Sequence, residues 1–291
     1  MIELTDKNIV RKALPKRPDD ANKGSVGSLL SLCGSYGMAG AAMLCGKAAL
    51  RSGVGLLKCA LPRSIYPLVA PNLWESVFIP LGSDTDNTLK SDSAKLLLKE
   101  AEKSTAVVIG CALTNTADTR ILVRKFIRNC QNPMVLDADA LNCIDDTPAI
   151  LRSASTDIIV TPHPGEMGRL TGKTAQEVNE ARVETAMTFA EKFEVITVLK
   201  GAGTIIAAPD GRVLENHTGN CGMATGGSGD VLAGVTGALL SQGAEPFEAA
   251  AAAVYLHGLA GDLAAREKGK ISLLPTDIID YLPQAFIHCG V

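Results

Sequence analysis

Short apolar runs closed by turn residues recur along the chain, and between them lie longer stretches in which apolar side chains return every three to four positions. That alternation is the mark of βα units feeding a largely parallel sheet. The runs at 26–33, 56–61, 106–109, 134–136, 158–161 and 195–199 predict strands, and the periodic stretches 39–52, 91–104, 117–130 and 176–193 predict helices between them. Residues 204–208 and 212–216 flank Pro209-Asp210-Gly211. Because Asp-Gly accepts the positive φ of a tight turn, they predict an antiparallel hairpin at the late edge of the sheet. Three consecutive helices, 229–242, 246–267 and 276–286, close the pattern. With no linker, repeat or low-complexity stretch, residues 1–291 read as one α/β domain.

Composition narrows the function classes. At 46% hydrophobic and 20% charged, 291 residues exclude a disordered or fibrous chain, and 28 Gly with 4% aromatics favour tight backbone turns over aromatic platforms. Lys and Arg number 28 against 31 Asp and Glu, a formal net charge of -3, so no global field draws the chain to nucleic acid or anionic lipid. An anionic ligand must be held locally. The first twelve residues carry Glu3, Asp6, Lys7, Arg11 and Lys12, unlike a signal peptide. The longest uncharged stretches, 231–244 and 249–261, fall short of the ~18 residues of a bilayer span, so no membrane partner is expected. Eight cysteines without C-x-x-C or histidines at zinc spacing predict buried, reduced thiols and a cytoplasmic setting.

Candidate chemistry gathers at predicted strand ends, where open α/β sheets bind ligands. The densest stretch is Asn216-His217-Thr218-Gly219-Asn220-Cys221-Gly222-Met223-Ala224-Thr225-Gly226-Gly227-Ser228-Gly229-Asp230, with five glycines in fifteen residues, leading into a helix. Glycine lets backbone approach a ligand, and the helix start offers free N–H groups and a positive dipole end, an anion site. Asp230 in that first turn is either a base facing the reacting atom or an ordinary acid stabilising the dipole. Thr161-Pro162-His163-Pro164-Gly165-Glu166 puts His163 on a Pro-flanked turn facing the crevice, unless it merely packs. Asp137 and Asp139 could hold Mg²⁺ through water or cap a helix. Lys200-Gly201-Ala202-Gly203-Thr204 offers a cation and pliant backbone to a nucleotide, or is a plain β-turn. Gly34-Ser35-Tyr36-Gly37-Met38-Ala39-Gly40-Ala41-Ala42 is a further glycine-rich entry into a helix. Zinc-peptidase, P-loop, serine-hydrolase and protein-kinase signatures are absent.

In this order, over about residues 22–282, these motifs resemble the ADP/ATP-dependent NAD(P)H-hydrate dehydratases, the ribokinase-like carboxyl-terminal domain of nicotinamide nucleotide repair proteins. The resemblance implies a three-layer αβα fold with a mostly parallel central sheet and an antiparallel edge hairpin. It implies a reaction in which the terminal phosphate of ADP or ATP activates the hydroxyl of hydrated NADH or NADPH so that oxygen leaves, regenerating the dinucleotide. On that likeness Lys200, Gly201, Ala202, Gly203, Thr204 and Gly229 contact the nucleotide, and Ala41, Thr114, His163 and Asp230 contact the hydrate. Asp230 is the base, Gly227, Ser228 and Gly229 form the anion hole, and Mg²⁺ bridges the phosphates with no direct protein ligand. One departure stands out: relatives carry G-P-G-L-G where this chain has Gly110-Cys111-Ala112-Leu113-Thr114. The length leaves room for the dehydratase domain without the epimerase domain of some relatives. The small residues of 246–267 allow close helix approach either between subunits or within the fold, and because relatives form homotetramers a homo-oligomer is expected. The competing readings are a ribokinase-like kinase of small alcohols and a non-catalytic nucleotide-binding protein.

Overall fold

The computed structural model describes residues 2–291. Its elements run β1 (Glu3–Leu4), α1 (Lys7–Ala13), β2 (Ser28–Leu32), α2 (Ala39–Arg51), β3 (Leu56–Pro62), α3 (Tyr66–Val69), β4 (Val77–Leu81), α4 (Ala94–Ala101), β5 (Ala106–Ile109), α5 (Ala117–Asn129) and β6 (Met134–Leu136). Then come the single turn α6 (Asp139–Asn142), β7 (Ile158–Val160), α7 (Pro164–Thr171), α8 (Ala175–Glu180), α9 (Arg182–Phe193), β8 (Ile196–Leu199), β9 (Thr204–Ala207), β10 (Val213–Asn216), α10 (Ser228–Ser241), α11 (Pro246–Lys268) and α12 (Pro275–Cys289).

All ten strands join one sheet in the order β1-β10-β9-β8-β7-β6-β5-β2-β3-β4. Only β9 runs against its neighbours, β8 and β10. Strand side chains alternate between faces. Leu29, Val108, Val135 and Ile159 join α1, α2, α10, α11 and α12 in one core, while Leu30, Val107, Leu136 and Val160 meet α4 to α9 in the other. Three layers result, as the resemblance implied. No helix among the described residues is long and apolar enough to cross a membrane.

Register sets the working end of the sheet. Leu32 pairs Ile109, Ile109 pairs Leu136 and Leu136 pairs Val160, so β2, β5, β6 and β7 end level and their following loops leave together. Beside them, α10 enters the middle of the first helical layer. Twelve of its fourteen residues are buried, since it packs on the sheet, α2, α11 and α12 at once. Close approach explains its small residues: a Cβ on Gly234 would overlap the Cys45 carbonyl, and one on Gly237 would overlap Val108.

The antiparallel pair β9 and β10 lies at the late edge of the sheet as expected, with only the two-residue strand β1 outside it. Other sequence expectations are corrected. The opposite edge, β4, has no counterpart among the predicted runs. Its Pro80 lacks an N–H to donate and sits where a proline is tolerated, on an edge. The predicted helix 176–193 breaks at Ala181 (φ -132°, ψ 48°), where Arg182 turns to donate to the carbonyls of Leu199 and Gly203. The stretch 91–104 narrows to one 3₁₀ turn, Ser91–Ser93, followed by α4.

Candidate active site

The strand-end loops converge on a small charged cluster. Asp137, immediately after β6, is 1% exposed. Its Oδ1 accepts from Thr161 Oγ1 at 2.7 Å and from Lys200 Nζ at 2.7 Å. Glu166 Oε2 lies 3.8 Å from the same ammonium. Burial opposes the Lys200 charge, but Asp137 and Glu166 more than offset it and hold the ammonium above the ordinary lysine range. An unpaired buried carboxylate is costly, and here Asp137 has both an ammonium and a hydroxyl donor on one oxygen. Lys200 therefore faces the crevice floor, and its own N–H donates to Pro162 at 2.9 Å.

Gly229 and Asp230 stand over this floor. Gly227 caps α10 at φ +101°, a left-handed conformation that only glycine takes without strain, and its Cα faces Leu44 of α2 at a distance with no room for a side chain. Gly229 is more open, a Cβ there coming within 3.5 Å of Lys200 Nζ and 4.0 Å of Asp137 Oδ2. Donor atoms of Asp230, Asp137 and Cys111 lie within 4.8 Å of one another. Burial first, then the neighbouring Cys111 and Asp137, push the Asp230 carboxyl up to about 9, with Lys200 pulling the other way. In the ligand-free protein it is therefore protonated at neutral pH.

Two polar atoms at the start of α10 lack partners: Ser228 Oγ and His257 Nε2, both buried. Burial pushes the His257 imidazole down to about 4, against an upward pull from the Ser228 backbone. The Ser228 N–H expected in an anion hole donates to the Thr225 carbonyl at 3.3 Å, while buried polar atoms ordinarily find partners, so this pair of orphans beside the Gly227 and Gly229 backbone marks a place where an anion's oxygens fit. The sequence reading missed His257, which sits inside an alanine-rich helical run.

The other expected positions take distinct places. His163 is the N-cap of α7 rather than a residue on a free turn: its Nδ1 accepts from the N–H of Gly165 at 3.0 Å and of Glu166 at 3.4 Å. Its side chain is 51% exposed, and Nε2 lies 3.5 Å from Glu166 Oε1, which links it to Lys200 through Glu166. Asp139 accepts from the Thr114 N–H at 2.8 Å and from Asn142 Nδ2 at 3.0 Å, outside the Asp137 and Asp230 group. Asp137 caps no helix, since Ala138 holds that position on α6. Lys200-Gly201-Ala202-Gly203-Thr204 forms a turn closed by Thr204 Oγ1 donating to Gly201 at 2.9 Å and gripped by Arg182, with Gly201 at φ +148° and Gly203 at φ +68°. Ala41 lies half-buried in the first turn of α2. Thr114, half-buried, donates from Oγ1 to Ser35 at 2.9 Å. Ala112 and Thr114 take φ of +51° and +69°, the left-handed region that favours glycine.

Magnesium prefers oxygen donors in near-octahedral array. The donors of Asp137 are largely committed to Lys200 and Thr161, and the third member of the group is a thiol. The residues thus fit a cation held mainly by phosphate and water rather than a cage of protein ligands.

Comparison with known proteins places this geometry. A family model for NAD(P)H-hydrate dehydratase matches residues 29–284. The bifunctional NAD(P)H-hydrate repair enzyme Nnr of Moorella thermoacetica is 41% identical over 273 residues, 94% of this chain and 52% of that protein, so the chain spans about half the length of that relative. The ADP-dependent (S)-NAD(P)H-hydrate dehydratase of Bacillus subtilis is 35% identical over 277 residues, 95% of each chain. A crystal structure of ADP/ATP-dependent NAD(P)H-hydrate dehydratase from B. subtilis, co-crystallized with ATP/Mg²⁺, superposes with a TM-score of 0.84 at 32% identity over 99% of both chains. A ribokinase-like superfamily protein of Enterococcus faecalis gives 0.85 at 26% identity, covering 99% of this chain and 96% of that one.

Proposed function

The chain belongs to the NAD(P)H-hydrate dehydratase family, and from that premise we propose that it dehydrates the S-form of hydrated NADH or NADPH to the dinucleotide, consuming ADP or ATP and releasing AMP or ADP with phosphate. The observation that carries this reading is Asp230: a carboxyl raised to about 9, set in the first turn of α10 beside the Gly229 backbone and Lys200.

The chemistry follows from what a hydroxyl lacks. It is a poor leaving group, and transfer of the terminal phosphoryl makes it a good one. Asp230, once ionised, takes the hydroxyl proton as the oxygen attacks phosphorus and the bond to the nucleotide's bridging oxygen breaks. The ring nitrogen's electron pair then expels phosphate, and loss of a ring proton completes the dehydration. The N–H groups of Gly227, Ser228 and Gly229 receive the phosphoryl oxygens, with the orphaned Ser228 Oγ and His257 Nε2 supporting this assignment. The turn from Lys200 to Thr204 carries the rest of the nucleotide, while Ala41, Thr114 and His163 line the hydrate side. Asp137, through water, would help hold a Mg²⁺ that would neutralise phosphate charge, and Asp139 shapes the loop by holding the Thr114 backbone.

We take residues 1–291 as one domain, supported by a sheet that runs unbroken from β1 to β4. Eight free thiols, seven of them buried, support a cytoplasmic setting. A homo-oligomer, tetrameric by resemblance, is supported by the open β4 edge with Leu68, Trp74 and Val77 exposed around it. Light scattering giving a monomer at micromolar concentration counts against that assembly. The activity is tested by incubating the protein with hydrated NADH, Mg²⁺ and either ADP or ATP. Recovery of NADH with stoichiometric phosphate is expected. Phosphorylated alcohols accumulating without NADH recovery would replace this reading with a kinase.

A further inference from the structure

Beneath the crevice, three thiols from separate parts of the chain face one another. Cys33 follows β2, Cys45 lies in the middle of α2, and Cys111 follows Gly110 after β5. All three are buried, their sulfurs lie within 4.8 Å of one another, and Cys33 Sγ is 3.9 Å from Cys45 Sγ. The reaction proposed above uses none of them. Three sulfurs each about 2.3 Å from a central ion in one plane stand about 4.0 Å apart, so a cation fits with sulfur shifts of under about 1 Å.

The identity of the ion follows from the donors. Among the described residues no fourth histidine nitrogen, thiol or carboxylate oxygen joins the trio, and Asp137 and Asp230 reach Cys111 alone. Closed zinc sites take four ligands, whereas thiolate-only coordination favours soft copper(I). We propose that Cys33, Cys45 and Cys111 form a three-thiolate binding site for copper(I) at the base of the crevice. Each sulfur exchanges its proton for a bond to the ion, so binding one Cu⁺ to three thiols gives a dianionic thiolate complex and three protons, with no change of oxidation state. Entry is from the side of Cys111, whose Sγ lies 3.8 Å from Asp137 Oδ2 next to half-buried Asp230.

The test is an anaerobic titration of the full chain with copper(I) held by a chromogenic chelator. The expected result is withdrawal of one equivalent per chain, release of protons, and no displacement by excess Zn²⁺. Cys45→Ala, at a residue given no part in the reaction, loses that stoichiometric uptake and keeps its dehydratase turnover. Cys59→Ala, a buried thiol outside the trio, retains full uptake. Cys45→Ser, nearly isosteric, repeats the measurement should the smaller alanine loosen the core. The proposal is overturned if the parent withdraws no stoichiometric copper, if the Cys45 variants withdraw it as well as the parent, or if zinc displaces it.

Discussion

Replacing Asp230 with Asn separates two accounts of this carboxyl by the sign of a stability change. The folded-state pKa is about 9 and the unfolded reference is 3.8. Between those values the unfolded chain has released its proton and the folded protein still holds it, so folding stability falls as pH rises through this window. At pH 7 the gap of about 3 pH units, at about 1.4 kcal/mol each, amounts to about 4 kcal/mol, an upper figure because Asp230 is not fully enclosed. Asparagine keeps the shape and does not ionise. We expect Asp230→Asn to stabilise the ligand-free protein by about 2–4 kcal/mol at pH 7, which at about 2 °C per kcal/mol for a chain of this size raises Tm by about 4–8 °C. The advantage grows toward pH 9 and vanishes below pH 4. Turnover moves the other way, falling on the order of 10²–10⁴-fold with nucleotide affinity kept within about tenfold, since only the proton acceptor is lost. An ordinary helix-dipole acid predicts the reverse, a stability loss of up to about 1 kcal/mol with normal turnover. Scanning calorimetry of both proteins at pH 4, 6 and 8, with kcat on the same preparations, decides it. A variant that melts at or below the parent at pH 8, with no pH trend in the difference, would refute the reasoning.

Gly229→Ala should fold at least as well as the parent, because the position is helical, alanine is preferred there by about 1 kcal/mol, and the added Cβ meets Lys200 Nζ only at 3.5 Å; isothermal titration should nevertheless show a loss of nucleotide binding as the methyl occupies the anion's place. Lys200→Met leaves Asp137 buried without its partner and should cost about 3–5 kcal/mol in urea denaturation, much of it restored by adding Asp137→Asn. Ala112→Gly relieves a left-handed alanine and should raise the urea midpoint by the equivalent of about 0.5–1 kcal/mol, an effect absent if φ +51° carries no strain.

The parallel strands were legible because each is a short apolar run buried on both faces, and 106–109 and 134–136 coincide with β5 and β6. β4 was not, since Val77–Leu81 contains a proline and lies at an edge where half its residues' surroundings are solvent. The break at Ala181 carries no glycine or proline, and its cause, Arg182 reaching across to Leu199 and Gly203, exists only after the sheet has formed. In the site, strand-end placement picked out Asp137, His163, Lys200 and Asp230 individually. Their wiring depends on strand order. Nothing local says that the lysine after β8 meets the aspartate after β6 across the intervening β7, or that Cys111 comes beside Asp230. His257 lies in a helix whose buried alanines mask the one imidazole among them.

The placement of α10 also governs how the protein comes into being. The surfaces it covers, on β2, β5, β6 and α2, are made before it, and α10 follows the last of them, β6, by about 90 residues. At about 5–20 residues per second that is a wait of about 5–20 s with an apolar sheet face uncovered. Throughout that interval the nascent chain is a natural client for chaperones. The turn proposed to bind phosphate, carried on the helix that ends the wait, can form only after the sheet beneath it.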